Sequence, residues 1–330
     1  MKALKERYGL VVVTGGSGFL GNHLIRALLD EGVRVRSLHG GTRGFLAGLE
    51  DLAGRIEVVI GDVRNPRTVR RAFRGADCAC HLAGINGTAR FYSEPGKVLD
   101  VAVRGMLNVA DACRAERVSD LIVASSAEVY QTPPSVPTDE TTSLSIPDPL
   151  NPRYSYGAGK ILTEMLALHA EAGLGRSIVV RPHNIYGPGM NKGHVMAQLI
   201  ARVMTLDRQS PGFRPLRLPV QGDGRESRAF CAIDDCTDAL LRVLRSGRDR
   251  EIYHVGDDRE TTVAELVAEI GRSLGRPIKL IPGSRPAGSP PRRCPDIGKL
   301  RALGYVPQGS LPDGVDRLVR TLRGALVEAG

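Results

Sequence analysis

Leu10-Val11-Val12-Val13-Thr14-Gly15-Gly16-Ser17-Gly18-Phe19-Leu20-Gly21 decides the fold. An apolar run of this length, bounded at once by glycines, reads as a strand buried on both faces, the kind a parallel sheet requires. The periodic segment 22–30, ended by Gly32, predicts the helix that follows. In Gly15-x-x-Gly18-x-x-Gly21 the glycines permit a tight turn and let a pyrophosphate approach the backbone at a helix N-terminus. Gly15, Ser17, Gly18, Phe19, Leu20 and Gly21 are therefore candidate dinucleotide contacts.

Working outward, further strands are expected at 33–38, 56–60, 77–81, 121–124 and 177–181, with long helices at 98–115 and from Tyr156 through 168. Strands alternating with helices predict an α/β fold: a Rossmann-type doubly wound parallel sheet with ligands at the carboxyl ends of its strands. Beyond His183 the pattern loosens. It predicts a helix at 194–204, an irregular loop over 207–219, a helix and strand at 232–244 and 252–255 returning to the sheet, and an amphipathic helix at 262–274.

Side chains at the strand ends refine the site. Many dinucleotide sites place an acid on the ribose diol after the second strand, whereas this chain has His39-Gly40-Gly41-Thr42-Arg43. Without a carboxylate there, a 2′-phosphate is tolerable and Arg43 could pair with it, so NAD and NADP both stay open. Asp62 and Val63 suit an adenine contact, and Leu82-Ala83-Gly84 offers small residues where backbone must lie against a ligand. Tyr156-x-x-x-Lys160 puts a phenol and an ammonium on one helix face, one turn apart. A phenol of pKa about 10 is a poor base at neutral pH, and a nearby cation is expected to lower it.

The 330 residues carry a formal charge of +9, with 42% apolar and 25% charged side chains. Arginine is scattered rather than gathered into a basic block, which argues against a nucleic-acid binder and for attraction of an anionic substrate. Cys78, Cys80, Cys113, Cys231, Cys236 and Cys294 lack metal-ligand spacing, so neither a metal nor a disulfide framework is expected. No apolar run approaches membrane-spanning length, and a soluble, cytoplasmic protein is expected.

Taken together, these segments resemble the extended short-chain dehydrogenase/reductase superfamily, in particular its NAD-dependent, UDP-glucose 4-epimerase-like nucleotide-sugar epimerases and dehydratases. The resemblance rests on Thr14 to Gly21, Asp62-Val63, His81 to Gly84, Ser125-Ser126-Ala127-Glu128-Val129-Tyr130, Tyr156-x-x-x-Lys160, Arg181 to Gly189, Gly222-Asp223-Gly224 with Arg228, and Arg292 to Asp296. It implies a cofactor domain over 1–182, rejoined by 229–257, and a smaller mixed α/β substrate domain over 183–228 and 258–330. It also implies a homodimer built on a four-helix bundle from helices 98–115 and 156–170.

Carried over by position, Ser126 would bind the reacting sugar hydroxyl and Tyr156 would take its proton. Lys160 would lower the phenol pKa and bind the nicotinamide ribose, with Pro182 also against the cofactor. Asn184, Arg228 and Arg292 would hold the diphosphate of a nucleotide sugar, since guanidinium groups match phosphate geometry. The activity implied is a 4-epimerase, an isomerase acting by transient oxidation through a 4-keto sugar. Glu128 leaves decarboxylation or 4,6-dehydration open, although Ala127 stands where a dehydratase carries its acid. A non-catalytic dinucleotide-binding protein of the same fold is the alternative of another class.

Overall fold

Strand β1 (Leu10–Thr14) is buried at every position, and its alternate side chains enter two different cores. Val11 and Val13 face one side while Leu10 and Val12 face the other, as a two-residue period dictates. The same division holds along β4 (Cys78–His81), β5 (Asp120–Ala124) and β6 (Arg176–Pro182). With β2 (Arg34–His39), β3 (Glu57–Ile60) and β11 (Ile252–Val255), they form a seven-stranded sheet of order β11-β6-β5-β4-β1-β2-β3, every pair parallel. This is a computed structural model that describes residues 3–40, 48–169, 173–190, 193–210, 212, 214–284 and 290–327.

Helices cover both faces, as an all-parallel sheet demands. Helix α1 (Phe19–Asp30) and α7 (Ile233–Ser246) pack on one, through Leu24, Leu28, Leu240 and Val243. Helices α2 (Pro66–Phe73), α4 (Pro95–Glu116) and α5 (Ser155–His169) pack on the other, through Phe73, Val109 and Ala167. A short helix α3 (Thr88–Ser93) precedes α4. The sequence pattern does not disclose α2: its eight residues include three arginines, and what starts it is Asn65, whose side chain caps Arg67 and Thr68, with Pro66 in the first turn. Helix α1 starts at Phe19, three residues earlier than the apolar period suggests, because Gly18 already serves as its N-cap.

A third apolar core joins α6 (Val195–Gln209), α8 (Val263–Leu274) and α10 (Leu311–Val327) through Met196, Ile200, Leu266, Ile270 and Val315. The stretch 207–219, expected as irregular, contains β8 (Leu216–Pro219), paired in parallel with β13 (Ile278–Ile281). Leu216 and Leu218 are buried while Arg217 and Pro219 are exposed, an alternation that the flanking prolines and arginines obscure in sequence. Strand β7 (Ile185–Tyr186) pairs with β10 (Cys231–Ala232), and β9 (Ser227–Ala229) lies between β12 (Glu260–Thr262) and β14 (Arg292–Arg293). A one-turn helix, α9 (Gly298–Arg301), follows β14. All six cysteines are free and buried. Among the described residues no helix is long and apolar enough to cross a membrane, and no cluster of metal-binding side chains occurs.

Candidate active site

The sheet order reverses between β1 and β4, so the crossovers diverge there and leave a crevice at the carboxyl ends. Gly15 follows β1 with φ +74°, and a Cβ on it would lie 2.9 Å from the Cα of Ala83. A Cβ on Gly21 would lie 2.3 Å from the Gly15 carbonyl oxygen, which draws the first turn of α1 tight under the loop. The N-terminus of α1 has no side-chain cap, so its first amides are open to an anion. Ser17, Phe19 and Leu20 are part-exposed on the same turn. On the facing edge, Leu82 N donates to Thr14 O (3.2 Å) and Ala83 N to Thr14 Oγ1 (3.2 Å), which fixes Leu82-Ala83-Gly84 beside the cradle. This glycine cradle fits a dinucleotide.

At the end of β2, His39 is buried and its Nδ1 is 2.8 Å from Ser37 Oγ. No carboxylate takes the ribose position on that strand; Arg43 lies outside the described residues. The Asp62 carboxylate is gripped by Arg64 (Nη2–Oδ2 2.6 Å), which holds it below the usual carboxylate range, and Val63 is buried beside it. Pro182 ends β6 opposite Val255.

The chemistry-bearing residues converge on β5 and α5. Ser126 caps the short 3-10 turn Ala127–Tyr130, its hydroxyl accepting from Glu128 N (3.2 Å) and acting to lower the pKa of the Tyr156 phenol. The Tyr156 ring stacks on Phe91 at 4.7 Å between centroids. Lys160 is only 7% exposed; its Nζ donates to the Ala124 carbonyl (2.5 Å) and lies 5.9 Å from the Tyr156 centroid. His81, Gly84, Tyr156 and Lys160 line one narrow cavity.

The electrostatics correct one expectation. Burial, reinforced by the Glu128 charge and opposed by the Ser126 hydrogen bond, pushes the Tyr156 phenol up to about 12. Burial also pushes Lys160 down to about 8, with Glu164 opposing that shift. Desolvation disfavours the charged form of each group, so the pair sits as neutral phenol and weakened ammonium. Lys160 is committed to a backbone carbonyl and by itself does not ionise Tyr156. His81, pushed down to about 3 by burial, is neutral beside them.

The expected phosphate ligands divide between two faces of one small sheet. Strand β14 pairs with β9 so that Arg292 faces Ser227 and Arg293 faces Arg228. Arg292 and Ser227 both bond Glu260, with Arg292 Nη2 2.6 Å from Oε2. Arg293 turns the other way and pairs with Glu128 (Nη1–Oε1 2.6 Å). Arg228 donates to the carbonyls of Ser227, Pro290 and Pro291, and its charge also acts on Glu128. Asn184, at φ +41°, donates to Ala229 O (2.9 Å). The geometry therefore brings Arg228 and Arg293, rather than Arg292, to the Glu128 side. Against the burial that opposes it, Arg293 with Arg153 and Arg228 holds the Glu128 carboxyl below its usual range, an anion rather than an acid. His183 is 1% exposed with both ring nitrogens unpartnered; burial and the neighbouring His254, Arg293 and Arg181 keep it neutral. Sequence reasoning missed Arg293 and Phe91. The two-residue alternation of Arg292-Arg293 would have separated the arginines had the pairing with β9 been known.

Comparison with known proteins agrees with this fold. A family described as "NAD dependent epimerase/dehydratase family" matches residues 11–256. The chain is 31% identical over 329 residues to a dTDP-4-dehydro-6-deoxy-D-allose reductase of a Streptomyces species, covering 95% of this chain and 96% of the relative. The structure superposes with a TM-score of 0.81 on DesIV, a dTDP-glucose 4,6-dehydratase from Streptomyces venezuelae with NAD and TYD bound, at 29% identity over 96% of this chain and 97% of that one. It superposes equally, at 0.81 and 26% identity, on the UDP-glucose 4-epimerase of Thermotoga maritima with UDP-glucose, covering 96% of this chain and 99% of that one.

Proposed function

Since the chain belongs to the NAD-dependent epimerase/dehydratase family, we propose that it works as a nucleotide-sugar 4-epimerase, moving hydride at carbon 4 of a nucleoside-diphosphate sugar. The observation that carries this reading is that Ser126, Tyr156 and Lys160 converge beside the glycine cradle while Glu128 is locked as an anion against Arg293. Elimination needs a proton donor at the leaving hydroxyl. Ala127 cannot be one and Glu128 is held as an anion by Arg293, so chemistry confined to carbon 4 fits better than dehydration.

In this reading Ser126 binds the reacting hydroxyl and orients it toward Tyr156. The phenol oxygen takes the hydroxyl proton as carbon 4 is oxidised and returns it when carbon 4 is reduced again, so it must be ionised for the first step, a state that the charge of Lys160 and of an oxidised nicotinamide would favour. Lys160, fixed on Ala124, supplies positive charge near the phenol and donors toward a ribose at Gly84. Bound in the cradle of Gly15, Ser17, Gly18, Phe19, Leu20, Gly21 and Leu82 to Gly84, with His39, Asp62, Val63 and Pro182 at its edges, NAD supplies the hydride acceptor. Asn184, Arg228 and Arg293 hold the diphosphate, which competes with Glu128 for Arg293. Residues 183–228 and 258–330 form the substrate-binding part, and 1–182 with 229–257 the cofactor part. A second copy packs on the α4–α5 face, where Leu107, Leu162 and Met165 are about half exposed.

A second reading, one-way reduction of a 4-keto sugar nucleotide, is favoured by the neutral Tyr156 phenol, which is set to donate a proton, and by the reductase relative. The test is incubation with a panel of nucleotide sugars in deuterated water, followed by NMR and mass analysis. Carbon-4 epimers free of solvent deuterium are expected. Conversion of 4-keto sugars only, with stoichiometric consumption of reduced cofactor, selects the reductase. Loss of carbon dioxide or water would sink both and return Glu128 to the centre of the mechanism.

A further inference from the structure

Helix α5 carries Tyr156, Lys160 and Glu164 at successive four-residue steps, which places all three on one stripe. That stripe faces the end of β5. Lys160 Nζ holds the carbonyl of Ala124 (2.5 Å), and one turn further along Glu164 accepts a hydrogen bond from the Ser125 hydroxyl. Arg181, on the adjacent strand β6, clamps Glu164 with two bonds, Nε to Oε1 (2.8 Å) and Nη2 to Oε2 (2.6 Å). Its remaining nitrogen reaches the Tyr130 hydroxyl and the Glu140 carbonyl (3.1 Å). Tyr130 ends the 3-10 turn that Ser126 begins, and its hydroxyl lies 2.6 Å from His254 Nε2. The segment from Ala124 to Tyr130, which bears Ser126 and Glu128, is thus gripped at both ends.

The ion pair at the centre of this clamp is almost completely desolvated, with 2% of the Arg181 and 3% of the Glu164 side chain exposed. Such a pair contributes little net stability compared with apolar residues of the same volume. What it supplies is direction: two charges with fixed bonding geometry admit one placement of the groups around them. We propose that Glu164, clamped by Arg181 and bonded to Ser125, is a positioning residue that fixes Ser126 and Lys160 relative to Tyr156. This rests on the carbon-4 chemistry proposed above. Glu164 also bears on the charge of Lys160, which burial lowers and Glu164 raises. The other groups facing Lys160 are the neutral His81 of β4, the Tyr156 phenol, the Ala124 carbonyl and the apolar Val98 and Ala102 of α4.

The decisive variant is Ser125→Ala, which removes one hydrogen bond and leaves the ion pair whole. It is expected to lower kcat about tenfold with KM unchanged and the thermal midpoint lowered only by the few degrees that one lost buried hydrogen bond costs, and Ser125→Thr is expected to restore kcat. Wild-type kcat in Ser125→Ala, or parallel loss of kcat and midpoint without rescue by Thr, overturns the proposal. An activity-independent arm follows the Lys160 13Cε signal of the labelled full chain, assigned through Lys160→Met. In Glu164→Gln that signal is expected to titrate at lower pH than in the wild type, and an unchanged titration overturns the proposal. Should Glu164→Gln not fold, Glu164→Asp draws the carboxylate back by one methylene and is expected to move the same titration the same way. If the wild type turns over no nucleotide sugar, the functional reading falls while the titration still decides the positioning role.

Discussion

Replacing Arg293 by Leu isolates the electrostatics on which the reading of Glu128 depends. The two groups meet at 2.6 Å with 11% of the Arg293 side chain and 27% of the Glu128 side chain exposed. Unit charges about 4 Å apart attract by about 4 kcal/mol at an effective dielectric of about 20. Breaking a fully buried pair costs about 3–5 kcal/mol, because one charge stays behind without a partner. Here Arg153 and Arg228 remain near Glu128 and water reaches part of the carboxylate, so the expected loss at pH 7 is about 2–3 kcal/mol. The pH dependence has a definite sign. Glu128 is held below its ordinary value of 4.5, so its contribution is present above that pH and is lost as pH falls through the lower folded value. Without Arg293, burial dominates and raises the carboxyl, so the deficit is largest at neutral pH and shrinks as pH falls toward the lowered folded value, below which both proteins hold the proton. Urea unfolding of both proteins at pH 7 and near pH 4 measures this. The double variant Arg293→Leu, Glu128→Leu is expected to recover most of the loss. A deficit under about 0.5 kcal/mol at pH 7, an equal deficit at both pH values, or strict additivity in the double variant would refute the argument.

Tyr156→Phe keeps the stack on Phe91 but removes the proton-carrying oxygen, so kcat is expected to fall about 10²–10⁴-fold while calorimetry finds nucleotide-sugar binding largely intact. Gly21→Ala drives a methyl group to 2.3 Å from a backbone oxygen, and the expected result is loss of NAD binding in a fluorescence titration. Paired substitution Leu162→Glu, Met165→Glu on the half-exposed face of α5 is expected to convert a dimer to monomer by light scattering, with the unfolding midpoint nearly kept. A wild-type protein that is already monomeric at micromolar concentration would remove that proposal.

The sequence by itself determined the parts whose signal is local. Leu10 to Gly21 is legible because a doubly buried strand must be continuously apolar and because close backbone approach admits only glycine, so fold class and cradle can be read without coordinates. Tyr156 and Lys160 are legible because four residues make one helical turn. Helix α2 and strands β8 and β13 were hidden, since an Asn65 cap and a pairing as distant as Leu216 with Ile278 leave little local pattern. Only the tertiary structure decided the rest of the site. Which of two adjacent arginines meets Glu128 depends on the register of β14 with β9, a pairing of segments far apart in the chain. Whether Tyr156 is ionised depends on burial, and whether Glu164 matters depends on Arg181 reaching it from another strand. Charge and desolvation act through space, so the sequence names the groups while the fold sets their protonation and their partners.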